Sequence, residues 1–133
     1  MLRYLAAYGA AAVTLLVLDL VWLGIIARDF YQTQLAAYLR QPPSIPVSVL
    51  FYALIVLGVV IFAIAPALRE GSWRSALVMG SLFGFFSYMT YDLTNLATVK
   101  DWPAALAVTD IVWGTVLSGA AATIGYFAGA AVR

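Results

Sequence analysis

Apolar positions fall into four long runs, and short polar clusters separate them. The first run extends from about Tyr4 to Ala27, enough at ~1.5 Å per residue to cross the ~30 Å hydrocarbon core of a bilayer. It ends at Arg28-Asp29. The second, from about Pro46 to Leu68, carries no charge and reads as the most lipid-exposed. Ser44 is placed to cap it, and Pro46 is tolerated in a first helical turn. The cluster Arg69-Glu70-Gly71-Ser72 makes a tight turn into a third run, from about Trp73 to Thr98. Lys100-Asp101-Trp102-Pro103 then leads into a fourth, from about Pro103 to Ala130. Between Asp29 and Ser44, Tyr31, Leu35, Tyr38 and Leu39 recur at helical spacing. That pattern fits a short amphipathic helix lying at the interface, ended by Gln41-Pro42-Pro43. The chain therefore reads as all-α: a polytopic membrane protein whose 133 residues form one transmembrane domain. Four transmembrane helices make a four-helix bundle, with a short interfacial helix after the first span.

Composition supports this class. Hydrophobic residues make up 65% of the chain and charged residues 10%, where soluble domains carry about 25% charged. The net charge of +1 argues against a nucleic-acid partner, which needs a strongly basic face. The chain has no cysteine and no histidine, so disulfides, thiolate chemistry, common zinc sites and an imidazole base are excluded. No cofactor and no metal ligand is assigned. Three carboxylates suit a hard cation, but their placement on separate helices does not establish one. Proton chemistry falls to Asp, Glu, Tyr, Lys or the backbone. The first run is too long for a signal peptide, holds an aspartate and lacks a small-residue cleavage site, so it reads as a retained span.

Four spans put both termini on one side, together with the Arg69–Arg74 turn. That side holds Arg3, Arg69, Arg74 and Arg133; the other holds Arg28, Arg40 and Lys100. The positive-inside rule then orients both termini to the cytoplasm.

Three aspartates interrupt the apolar runs. Asp19 precedes Arg28 near the far end of the first span, and Asp92 precedes Lys100 near the far end of the third. Asp110 follows Pro103 near the start of the fourth. Odd-numbered spans end where even-numbered spans begin, so all three fall at one level, each roughly 10–13 Å inside its boundary. A charged Asp at a span centre costs roughly 2.5–3.5 kcal/mol on insertion scales, so three at one level are expected to converge on a polar pocket. Close together, they cannot all be ionised without protons, a cation or a donor ligand. Asp19-Leu20-Val21-Trp22 echoes Asp110-Ile111-Val112-Trp113, which sets an indole one turn from each acid. Trp22, Trp113, Tyr88 and Asn95 are the expected further lining. Trp73 and Trp102 sit at span ends as interfacial anchors. Gly80 and Gly84 form a GxxxG pair, and Gly114 and Ser118 lie on a small-residue face of the fourth run; these four are read as helix-packing positions.

Several of these segments resemble one family. They are Leu18-Asp19 with Trp22-Leu23-Gly24, then Phe30-Tyr31, then Tyr91-Asp92-Leu93-Thr94-Asn95-Leu96-Ala97-Thr98 with Asp101-Trp102, then Asp110 with Trp113-Gly114. The family comprises small bacterial multi-pass membrane proteins catalogued as a domain of unknown function. The resemblance covers nearly the whole chain. It implies an intrinsic bacterial inner-membrane protein and supplies no activity. The residues themselves point first to an intramembrane carboxylate pocket that binds or carries a proton, a cation or a small ligand of unknown identity. The expected partners are the lipid bilayer and a homo-oligomer or another membrane protein. A membrane enzyme using carboxylate acid/base chemistry on a lipid-like substrate is the alternative, and an accessory subunit of a larger complex the third. Whether the protein is an enzyme stays open at this stage.

Overall fold

The computed structural model describes residues 1–132. It contains five helices: α1 (Leu2–Ile26), α2 (Arg28–Gln34), α3 (Ile45–Glu70), α4 (Trp73–Thr98) and α5 (Ala104–Ala131). By length and composition, α1, α3 and α5 can each cross a membrane. The third apolar run forms one unbroken helix of 26 residues, but α4 is not among the helices apolar enough to qualify. Arg74 and the Tyr91–Thr98 run dilute its apolar character.

The helix faces invert the soluble pattern. Large apolar side chains such as Leu20, Leu54, Phe86 and Val112 point outward, while small residues are turned in. Ala7, Ala11, Leu15 and Asp19 recur every four residues along α1, and all are buried. This stripe lies against α5, where Gly125 meets Ala7 and Ala11 and Gly129 meets Ala7 and the Arg3 carbonyl. Small residues let the two backbones approach closely, which substitutes for the hydrophobic drive that lipid does not supply. α5 is the central helix, with 39% of its apolar window buried, against 28% for α3 and 17% for α1. The expectation that the charge-free second run is the most lipid-exposed is thus corrected: α1 is more exposed. Val56, Val59, Ala63, Ile64 and Ala67 of α3 belong to the core.

Two helices contain a π-helical turn, Trp22–Ile26 in α1 and Val60–Ile64 in α3. The second ends two residues before Pro66. Proline has no amide to bond the preceding turn and its ring crowds that carbonyl, so a widened turn accommodates it. Gly71 takes a left-handed conformation (φ 69°), for which glycine is suited, and the Ser72 hydroxyl then accepts from the Ser75 amide at 3.2 Å to cap α4.

The ends of the bundle differ. At one end Arg3 donates to the Leu68 carbonyl (3.2 Å), and Gly129 packs against Arg3 and Leu68. The N-terminus, the α3–α4 turn and the end of α5 are therefore together; Arg133 lies outside the described residues. At the other end, α2 stops at Gln34, short of the full amphipathic stretch. The chain then bends so that the Tyr38 hydroxyl reaches the Lys100 carbonyl (2.9 Å). Trp102 packs on Tyr38 and Tyr91. The 28–43 segment thus folds back over the bundle end.

Candidate functional site

The contact between α4 and α5 fixes a register. Gly80 lies against Ala122 and the Ser118 carbonyl, Gly84 against Ser118 and the Gly114 carbonyl, and Gly114 against the Tyr88 ring. A Cβ at Gly84 would meet a backbone carbonyl, so the approach requires glycine there. The helices run antiparallel, and each four-residue advance along α4 matches a four-residue retreat along α5. One further step sets Asp92 opposite Asp110. Asp92 is 0% exposed. No donor reaches either of its carboxyl oxygens, and the group beside it is the Asp110 carboxyl. Two carboxylates only accept; a hydrogen bond between them exists only when one keeps its proton.

The α1–α5 contact places the other acid. Asp19 is buried and accepts from the Tyr52 hydroxyl (2.5 Å) and from the Trp113 indole Nε1–H (3.0 Å). Asp110 accepts from the Tyr31 hydroxyl (2.8 Å), whose oxygen accepts in turn from Trp22 Nε1–H (3.3 Å). The two indoles stack, with centroids 4.5 Å apart and planes 11° from parallel. Each Asp-x-x-Trp turn thus faces the other head to tail. The acid of α1 takes the indole of α5, and the indole of α1 reaches the acid of α5 through Tyr31. Burial pushes the Tyr31 hydroxyl above its ordinary value; the Trp22 bond opposes this and the Asp110 carboxyl adds to it. Tyr31 therefore remains a protonated donor.

Two adjoining cavities open at this level. One, of about 410 Å³, lies between α3 and α4 and is lined by Asp19, Asp110, Tyr52 and Tyr88 with Phe51, Ile55 and Ser87. The helices flanking it touch lower down, where Phe62 stacks on Phe83 and Gly58 abuts the same ring. The other, also about 410 Å³, lies beneath the 28–43 segment; Asp92, Asp110, Tyr31 and Trp102 line it together with Arg28 and Arg40. Leu23, Tyr91 and Asp110 belong to both. The three acids are thus divided between two cavities, with Asp110 common. Among the described residues, no three acidic groups gather closely enough to hold a metal ion.

A family model covers residues 4–127. The chain belongs to the DUF2177 family, described as predicted membrane protein. The matched segment of this DUF2177 protein includes all three aspartates, both stacked indoles and the segment over the second cavity. No curated protein and no solved structure matches the chain.

The other residues singled out in the sequence are distributed unevenly. Tyr88 lines the first cavity, and Trp22 and Trp113 sit behind it as hydrogen-bond donors. Ser118 is buried at the α4–α5 contact, with no partner for its hydroxyl. Asn95 is half-buried and lines neither cavity. Within the Tyr91–Thr98 run, only Tyr91 and Asp92 reach the cavities, while Thr94 and Thr98 donate to the carbonyls of Thr90 and Thr94 on their own helix. Sequence reasoning missed Tyr31 and Tyr52, the direct donors to two of the aspartates. Tyr52 reads as one more aromatic in an uncharged run; its hydroxyl, seven residues inside the span that starts at Pro46, was the available signal.

Proposed function

We propose that this protein is a four-span inner-membrane protein whose Asp92–Asp110 pair holds a proton and couples its release to binding or carrying a small ligand. The observation that carries the reading is the buried Asp92 carboxyl, reached by no donor and set opposite Asp110. A structural aspartate resembles Asp19, with its lone pairs taken by Tyr52 and Trp113. Asp92 has no such partners, and a buried acid left this way is costly unless it changes protonation in use. In this reading α4 is the fourth span, since it pairs with α5 along its length and its threonine hydroxyls are satisfied by its own backbone. Both termini face the cytoplasm, and the protein assembles as a homo-oligomer in a bacterial inner membrane.

The charged and titratable groups around the pair are Asp19, Tyr31, Tyr88, Tyr91, Arg28 and Arg40. The test is ligand-driven proton movement into proteoliposomes carrying an entrapped pH dye, challenged with a panel of amines and zwitterions. The wild type gives a signal that Asp92→Asn abolishes. A signal unchanged in Asp92→Asn, or none in the wild type across the panel, overturns the reading.

A second reading has one observation in its favour. The first cavity lies between α3 and α4, with Phe51 and Ile55 at its wall, so a lipid-like molecule entering sideways would meet Asp19 and Asp110. An enzyme of this kind leaves a new lipid accumulating in a deletion strain, cleared by wild type and not by Asp110→Asn.

A further inference from the structure

The second cavity carries both signs of charge, and neither is neutralised by the other. Asp92 and Asp110 stand at its floor, inside the bundle, and Asp92 is fully buried without a donor. Arg28 and Arg40 line the same cavity from the 28–43 segment, and both are exposed. The Trp102 indole N–H is buried in the wall and has no acceptor. Asp92 thus lacks a donor and Asp110 has Tyr31 alone, while the upper wall offers two exposed guanidinium groups and an indole N–H without an acceptor. Leu35 and Leu106 add apolar surface to the lining. From this polarity we infer that the cavity binds a zwitterion with a primary ammonium directed at Asp92 and Asp110 and a carboxylate or phosphate directed at Arg28, Arg40 and Trp102. The inference rests on the carboxylate-pair reading and adds the ligand class to it.

The chemistry of each end is selective. An ammonium supplies the donor that Asp92 lacks and a second one for Asp110 beside Tyr31, and its charge lets the pair release the shared proton. A guanidinium takes a carboxylate or phosphate through parallel N–H donors. An amine without the anion leaves the arginines and Trp102 unanswered, and an anion without the amine meets two acids.

The experiment measures binding to the full chain in nanodiscs by calorimetry, with four probes: phosphoethanolamine, γ-aminobutyrate, butylamine and butyrate. At least one zwitterion is expected to bind tenfold or more tightly than butylamine, and butyrate not at all. In an Arg28→Gln/Arg40→Gln variant the zwitterion falls to the butylamine level, while butylamine itself is unchanged. Asp92→Asn abolishes both. Nanodiscs with and without phosphatidylethanolamine separate the sources of this chemistry: suppression of soluble-probe binding assigns the site to the lipid headgroup, persistence to a free solute. Equal binding of zwitterion and butylamine, zwitterion binding insensitive to the arginine substitutions, or no binding of any probe overturns the inference. An infrared carboxyl band recorded on the same samples keeps the two readings apart. If the protonated carboxyl is present while zwitterion preference is absent, only the ligand class fails; if the band is absent too, the pair reading fails with it.

Discussion

Replacing Asp19 and Asp92 separately by alanine gives two different outcomes from one chemical change. Asp19→Ala strands two donors in apolar surroundings, the Tyr52 hydroxyl and the Trp113 indole N–H. A buried group left without its partner costs about 1–3 kcal/mol, so two cost about 2–6 kcal/mol. The space vacated by the carboxyl adds about 1 kcal/mol at ~24 cal/mol per Å³. Asp92→Ala strands no donor, because none reaches it. It removes a carboxyl whose own burial is unfavourable by about 1–3 kcal/mol, and under the proposed shared proton it loses one bond to Asp110 of about 1.5–3 kcal/mol. These largely offset, and the vacated space adds the same ~1 kcal/mol, leaving a cost of about 1 kcal/mol against about 3–7 kcal/mol for Asp19→Ala. The assay is reversible unfolding in mixed micelles as denaturing detergent is raised, followed by helical circular dichroism. Destabilisation by Asp92→Ala equal to that by Asp19→Ala would make Asp92 a packing element and refute the reasoning.

Gly84→Ala forces a methyl onto the Gly114 carbonyl and is expected to destabilise by about 1–3 kcal/mol. Gly9→Ala, with nothing within 4 Å, is expected to be neutral or to stabilise by up to ~1 kcal/mol; the same detergent titration compares them. Tyr52→Phe removes one donor from Asp19 and leaves Trp113 in place, so it should cost less than Asp19→Ala in that assay. The raised Tyr31 value has a defined sign. The unfolded phenol ionises near its ordinary 10.0 and the folded one later, so Tyr31 contributes stability below that pH and loses it as pH rises through the folded value. Alkaline destabilisation above about pH 10 is therefore expected to be shallower in Tyr31→Phe, measured as the pH dependence of the unfolding midpoint.

Much of the fold was legible because a span must be continuously apolar and its ends must be polar. The third run, read as about Trp73 to Thr98, is the helix Trp73–Thr98, although it is not among the helices apolar enough to cross a membrane. Boundary charges and a constant helix rise led to the expectation of three aspartates around one pocket, whereas the structure divides them between two cavities that share Asp110. The Gly80-Gly84 pair and the Gly114–Ser118 face marked the surfaces that meet, yet their register needed the three-dimensional contact. Hydrogen-bond partners were not legible, because they cross between helices. The Asp-x-x-Trp echo suggested each indole beside its own acid, whereas the antiparallel α1–α5 contact exchanges them. Tyr31 was read as turned toward lipid on an interfacial helix. It points at Asp110 because a π-helical turn ends α1 and the chain folds back there, and no local pattern announces that reversal. Asn95 shares a face with Asp92 by spacing, but it lies a turn closer to the helix end, beyond the cavity walls.

The central claim is that Asp92 and Asp110 hold one proton between them. Infrared difference spectroscopy of the reconstituted protein at neutral pH tests it, using hydrogen–deuterium shifts to identify the carboxyl stretch. One protonated-carboxyl band is expected in the wild type. That band disappears in Asp92→Asn and survives in Asp19→Asn. A wild type with no protonated carboxyl at neutral pH, or a band removed by Asp19→Asn and untouched by Asp92→Asn, contradicts it.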